Sequence, residues 1–436
     1  MVILIATCLT KETQGFYYTF LSIAALQVFF DIGFAYVTVQ FVAHEFATLF
    51  WSENGKNIFG PETSKDRFYS ICDIACKWYY LSAFLCFWVL LLGGFCFFLK
   101  LNPLAAGQVH WSGPWILNAF AISISLLITP LFAIVEGSGK VYEANKMRLV
   151  ASICGSLAGW GVLFFGGQLY AIGTITLVRD CLAIAILAKS FHFVIRIAKS
   201  ALLSLLQTSI WTSIKSCFAG EMWAMQWKIA LSWMSGYFIF QLYSPLAFYY
   251  DGPVAAGEMG MTMSIANSIG QLSLAWLISY APMFARYIAE QNWQMLDRSF
   301  FAMMWKSSAM LVALLVSGVL LIEIVFPEFN FRDRVLSTVG ICIVFATTFI
   351  NHLINCFAVY LRAYKKEPLL LASVAGAIFS FLLMTTFGSR YGVYGIITCG
   401  FSLAVIYGLP VAFWIWIQWR RKFNHSELVG AIRGVH

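Results

Sequence analysis

Long apolar runs recur along this chain and leave it few ways to fold. Windows of about 19 residues pick out eleven of them, at 16–43, 78–99, 115–135, 149–167, 170–188, 229–250, 259–284, 307–326, 336–360, 369–387 and 393–417. A helix needs roughly 20 mostly apolar residues to cross about 30 Å of hydrocarbon, so each run is read as one crossing. A shorter stretch at 1–9 would rise only about 14 Å as a helix. It carries neither a basic leader nor a small-residue cleavage site, so it reads as the remnant of a first helix, from a start codon downstream of the natural one, and not as a signal peptide. The expected fold is an all-α polytopic membrane protein with about 12 transmembrane helices, the first truncated. The chain is 61% hydrophobic and only 11% charged, which excludes a soluble enzyme, a disordered chain and a receptor with one anchor and a large ectodomain. The runs do not alternate polar and apolar residues, which excludes an outer-membrane barrel.

The basic residues orient the spans. With the N-terminus inside, 22 lysines and arginines fall in or beside the inner loops. Lys11, Lys100, Arg332, Arg334 and Arg390 fall outside, and Arg179 lies within a helix. That asymmetry places both termini in the cytoplasm by the positive-inside rule. The net charge of +8 follows from topology and gives no reason to expect nucleic acid as a partner. Aromatic residues such as Trp78, Trp115, Tyr170, Trp223 and Trp419 stand near span ends, where amphipathic rings favour the headgroup zone.

Shifting the sequence by half its length against itself gives matches in a consistent order. The segment from Gly15 answers that from Gly260, Asp66-Arg67 answers Asp297-Arg298, Phe132-Ala133-Ile134-Val135 answers Phe357-Ala358-Val359-Tyr360, and Tyr170 to Gly173 answers Tyr391 to Gly395. Six spans per half is an even number, so both halves enter from the same side. The expectation is two six-helix lobes related by a parallel repeat around a central cavity, an arrangement of secondary transporters. The lobes are expected at 1–190 and 223–419, with a cytoplasmic amphipathic linker at 191–222 and a basic cytoplasmic tail at 420–436. The linker, with His192, Arg196, Lys199 and Lys215 among apolar residues, suits the membrane interface.

The stretch Leu9-Thr10-Lys11-Glu12-Thr13-Gln14-Gly15-Phe16-Tyr17-Tyr18-Thr19-Phe20, followed by Phe30-Asp31-Ile32-Gly33-Phe34-Ala35 and Gln40-Phe41, resembles the start of bacterial polysaccharide biosynthesis membrane proteins. These are the O-antigen type flippases of the multidrug/oligosaccharidyl-lipid/polysaccharide exporter superfamily. Gly137-Ser138-Gly139-Lys140-Val141 is similar to an inner loop of that family. The resemblance implies transport of an undecaprenyl-pyrophosphate-linked oligosaccharide from the inner to the outer leaflet of the bacterial cytoplasmic membrane, for O-antigen or another surface polysaccharide. It implies the lipid bilayer and other polysaccharide assembly proteins as partners. The family's first helix is complete and helps line the cavity, whereas only nine mostly apolar residues precede Thr10 here.

Polar groups within spans mark the candidate site, because an unsatisfied one costs several kcal/mol in hydrocarbon and so faces protein or a wet cavity. Gln27 and Asp31 share a helix face, as do Asn267 with Gln271 and Asn351 with Asn355. Arg179 and Asp180 lie mid-way along the sixth span, and Lys77, Lys228 and Lys306 about one turn inside the inner ends of theirs. Cations suit a pyrophosphate, and amides suit sugar hydroxyls. Arg179, Lys228, Lys77 and Lys306 are therefore expected at the phosphates, and Gln27, Asn267, Gln271, Asn351 and Asn355 at the sugar or the cavity wall. Asp31 and Asp180 are candidates for coupling a proton or cation. The competing readings are a structural Arg179–Asp180 pair, amides as interhelical glue and lysines that snorkel to inner headgroups.

No phosphate-loop motif is present, which argues against ATP hydrolysis by this chain. The 11 cysteines show no paired C-x-x-C spacing, and no cofactor or metal is expected. Three functions compete: the flippase, a cation-coupled multidrug exporter of the same superfamily, and a membrane-embedded polysaccharide polymerase or transferase. The last usually needs a large extramembrane loop, and the longest outer loop here is short, at about 100–114.

Overall fold

The computed structural model describes residues 1–51, 58–101, 109–207, 221–325, 331–364 and 367–433. Almost all of this is helix, as a bilayer demands: with no water to bond, each crossing segment must satisfy its own backbone. Among the described residues seven helices are long and apolar enough to cross a membrane, and eight if the bent pair Lys11–Asp31 and Phe34–Phe46 counts as one crossing. The stretch Leu370–Lys422, 53 residues long, is far more than one crossing needs, and its backbone breaks at Gly392, where φ is 57°. The helix Tyr243–Ile278 breaks likewise at Gly252, with φ 87° and Pro253 next in the chain. Among the described residues the architecture is that of an all-α polytopic membrane protein, and the breaks at Gly252 and Gly392 accommodate a count of about twelve spans. Two compact units divide the chain, Ile3–Tyr237 and Phe238–His436, and the helix Glu221–Phe240 crosses the division.

In the first unit the run read as one span at 16–43 is bent by 41° between its two helices. Ile32 and Gly33 at the bend both have positive φ, 44° and 69°. Gln226 Nε2 donates to the Ile32 carbonyl that the break frees from the helical ladder. Around Trp115, whose indole N–H donates to the Leu90 carbonyl at 3.1 Å, the rings of Phe20 and Phe98 pack with centroids at 4.8 and 5.7 Å. The helices Val141–Phe164 and Tyr170–Ser190 approach closely because Gly155 and Gly159 face Ile175, a small-residue seam typical of membrane helices. A Cβ at Gly155 would lie 2.6 Å from the Ile175 carbonyl oxygen and 2.9 Å from Arg179 Cβ, so this seam sets where Arg179 stands.

Of the expected linker, residues 208–220 lie outside the described residues, and His192–Gln207 is a helix. Val194, Ile197, Ala198 and Ala201 are buried at amphipathic spacing, while His192, Arg196 and Lys199 are exposed. It is fastened to the helix Glu62–Leu101 by Tyr80, whose hydroxyl donates to the Ala198 carbonyl at 2.8 Å, and by Ser204, 3.5 Å from Asp73. Asp73 also pairs with the buried Lys77 at 2.7 Å. Methionine at Lys77 would take the ammonium away from Asp73 and is expected to cost about 2 kcal/mol. Thermal unfolding of the purified protein reads this as a lower Tm, and an unchanged Tm would show that the pair contributes no stability.

In the second unit, Asp297 takes Arg420 Nε at 2.8 Å and the Tyr360 hydroxyl at 3.1 Å, and the guanidinium lies 5.3 Å from the Trp416 ring centroid. The Asp251 carboxylate accepts from Val393 N–H at 2.6 Å, just past the break at Gly392.

Candidate functional site

Each unit contains a cavity with polar walls. That of the first unit, about 440 Å³, is lined by Gln27, Asp31, Ser125, Thr129, Arg148, Ser152, Arg179, Asp180 and Trp233, with Phe132 and smaller apolar residues between them. Arg179 and Asp180 are consecutive on one helix, and their side chains close on each other. Arg179 Nε is 2.7 Å from Asp180 Oδ1 and Nη2 is 3.1 Å from Oδ2. The pair is completed across the cavity wall by Ser125, which accepts from Arg179 Nη2 at 2.9 Å and donates to Asp180 Oδ2. Asp180 is 7% exposed and Arg179 38%, so the carboxylate is enclosed and the guanidinium reaches the open space.

Asp31 sits at the helix break, half-buried, and accepts a hydrogen bond from the buried Tyr79 hydroxyl. The left-handed residues that follow it stop the helix there, which holds the carboxylate at the cavity instead of within a continuous turn. Arg148 pairs with Glu136 and lies 4.6 Å from the Phe132 ring centroid. Two guanidinium groups and two carboxylates thus line this cavity, and its formal charge is balanced.

The cavity of the second unit, about 450 Å³, has a different chemistry. Its walls carry Gln241, Asn267, Gln271, Asn351 and Asn355, with Thr347, Thr348, Tyr243 and His352, and among the described residues no Asp, Glu, Lys or Arg. His352 is buried, with Nε2 3.1 Å from Ser307 Oγ.

The structure therefore sorts the residues singled out from sequence into two groups, Gln27, Asp31, Arg179 and Asp180 on one cavity and Asn267, Gln271, Asn351 and Asn355 on the other. The three lysines line neither of these cavities. Lys77 is buried in its pair with Asp73, Lys228 lies 5.7 Å from the Trp227 ring centroid and is exposed, and Lys306 is exposed. Sequence reasoning missed Arg148, counted with the inner-loop charges, and Trp233, Ser125 and Thr129. Arg148 stands two turns into its helix Val141–Phe164, which was the available signal.

Over 98% of its length the chain superposes on a multidrug resistance MATE family transporter of the MOP superfamily in an inward-facing conformation, with a TM-score of 0.65, 12% identity and 94% of that chain covered. It has the fold of that transporter. The lipid II flippase MurJ, in an inward closed conformation, is also similar, with a TM-score of 0.53, 15% identity, and 98% of this chain and 87% of that one covered. No protein-family model matches the sequence, and no curated protein matches it.

Proposed function

We propose that this protein is a flippase that moves an undecaprenyl-pyrophosphate-linked oligosaccharide from the inner to the outer leaflet of the bacterial cytoplasmic membrane by alternating access, for O-antigen or another surface polysaccharide. The observation that carries the reading is the pair of guanidinium groups, Arg148 and Arg179, on one cavity with the hydroxyls of Ser125, Thr129 and Ser152. Guanidinium donors match phosphate oxygens in charge and planar geometry. Unoccupied cations in such a place need counter-charges, and Asp180 and Glu136 supply them. An arriving pyrophosphate takes over part of that role, which frees Asp180 to accept a coupling proton or cation, with Asp31, bonded to the Tyr79 hydroxyl, as the second candidate. In this reading Lys77, Lys228 and Lys306 serve stability and the inner headgroups, and polysaccharide assembly proteins act before and after the transfer.

A second reading has its own support. Asp31 and the Trp233 indole line the same cavity, and a carboxylate beside an aromatic face also suits an organic cation, the cargo of a cation-coupled exporter. Deleting the gene separates the two. The flippase reading expects loss of surface polysaccharide with the lipid-linked repeat unit accumulating inside and drug susceptibility unchanged. Raised susceptibility with intact polysaccharide would establish the exporter, and an altered repeat unit would point to an enzyme.

A further inference from the structure

The second unit's cavity narrows the cargo. Asn267 and Gln271 stand one turn apart on the helix Tyr243–Ile278, and Asn351 and Asn355 one turn apart on Thr338–Arg362. Both pairs line the cavity, and none of the four amides is hydrogen-bonded among the described residues. Amides serving as glue between helices would bond across the interface; these do not. Thr347 and Thr348 donate to carbonyls of their own helix at 2.8 and 2.9 Å, so their oxygens are left as acceptors.

Each primary amide offers donors and an acceptor together, the complement of a hydroxyl, which also gives and takes. A lipid tail in this space would leave the half-buried Asn351 and Asn355 amides unpaired at a cost for each. An anion would find no cation and a cation no carboxylate among the lining residues. At about 450 Å³ the space is at the small end of ligand sites, room for a short saccharide.

We propose that this cavity binds an uncharged saccharide through Asn267, Gln271, Asn351 and Asn355, and discriminates against sugars carrying carboxylates. The inference deepens the flippase reading and rests on it for biological meaning. The same chemistry would serve a free glycan or the glycan of a lipid-linked one.

The test is saturation-transfer NMR on the full chain in lipid nanodiscs free of sugar detergents, with tri-N-acetylchitotriose as the neutral probe and trigalacturonate as the acidic one. Transfer is expected to chitotriose and not to trigalacturonate. Leucine at both Asn351 and Asn355 should weaken chitotriose binding about tenfold, the loss of two or so modest hydrogen bonds. Asn355→Lys is expected to admit trigalacturonate, a gain that an unfolded variant cannot give. Transfer to chitotriose only when it is carried on a polyprenyl lipid keeps the site and assigns its source to the lipid-linked form. Equal transfer to both probes in the wild-type protein, or undiminished chitotriose binding in the double leucine variant, would overturn the proposal. If chitotriose binds as described but lipid-linked oligosaccharide is not moved, the flippase reading falls and the saccharide site stands.

Discussion

Alanine at Arg179 is expected to cut transport more than tenfold and also to lower the amount of folded protein, and the two losses separate in a double variant. Arg179 is held by Asp180 at 2.7 Å and by Ser125 at 2.9 Å. Truncating it leaves the enclosed Asp180 with a hydroxyl as its nearest compensation. Removing one member of a buried pair costs about 3–5 kcal/mol. With Arg179 38% exposed, solvent screens part of this, and a loss of about 2 kcal/mol is the better expectation. A change of that size shifts cellular abundance several-fold. The Arg179→Ala, Asp180→Ala double variant removes both charges, so abundance should return while transport per molecule stays low. Quantitative blotting of membranes beside surface polysaccharide measurement reads both. Normal transport by the double variant would make the pair structural and take Arg179 out of the proposed phosphate site.

Valine at Gly33 should be strongly damaging to the first unit. Gly33 has φ 69°, a conformation that costs a residue with a Cβ roughly 1–2 kcal/mol and a β-branched one more. A Cβ there would also overlap the Ile229 side chain, with Trp233 ring atoms 3.7 Å away. Forcing atoms into a packed site adds about 1–3 kcal/mol, for a total of about 3 kcal/mol. Because Gly33 follows Asp31 at the 41° bend, partial straightening would also withdraw the carboxylate from the cavity. Purified Gly33→Val protein is expected to unfold at a clearly lower temperature than Gly33→Ala, which keeps the strain but adds a smaller overlap. Equal Tm values for wild type, alanine and valine variants would show that the break tolerates side chains and is not what places Asp31.

The spans were legible because a bilayer accepts so few solutions: an apolar run of sufficient length is a helix. The breaks were less so. Gly252, before Pro253, lies between two apolar runs, and its break agrees with the boundary read there. The break at Ile32-Gly33 falls inside one continuous run, 16–43, because Ile32 carries no sequence mark of a left-handed residue. Asp31, Arg179, Asn351 and their partners could be selected because polar groups at mid-span must face protein or a cavity. Which cavity each would join was not legible, since that depends on helix packing between residues distant in sequence. Arg148, two turns into its helix, was grouped with the inner-face cations, and Lys77, deeper into its own, proved to hold Asp73 at 2.7 Å. Depth alone did not separate a cavity residue from an internal pair. Ser125 and Thr129 gave no signal, because hydroxyls in spans ordinarily bond their own helix, as Thr129 does to the Ser125 carbonyl at 2.9 Å.

The proposed activity is leaflet transfer of an anionic, saccharide-bearing lipid. Its most direct measurement uses the purified protein in sealed proteoliposomes carrying a fluorescent undecaprenyl-pyrophosphate oligosaccharide with an uncharged glycan. A membrane-impermeant quencher reports the fraction exposed at the outer face over time. Wild-type protein is expected to move the lipid between leaflets, and the abundance-matched Arg179→Ala, Asp180→Ala variant to do so at less than about a tenth of that rate, through the loss of a charged hydrogen-bond donor set. Wild-type vesicles whose lipid stays in its starting leaflet, while the same preparation moves an organic cation down an ion gradient, would contradict it.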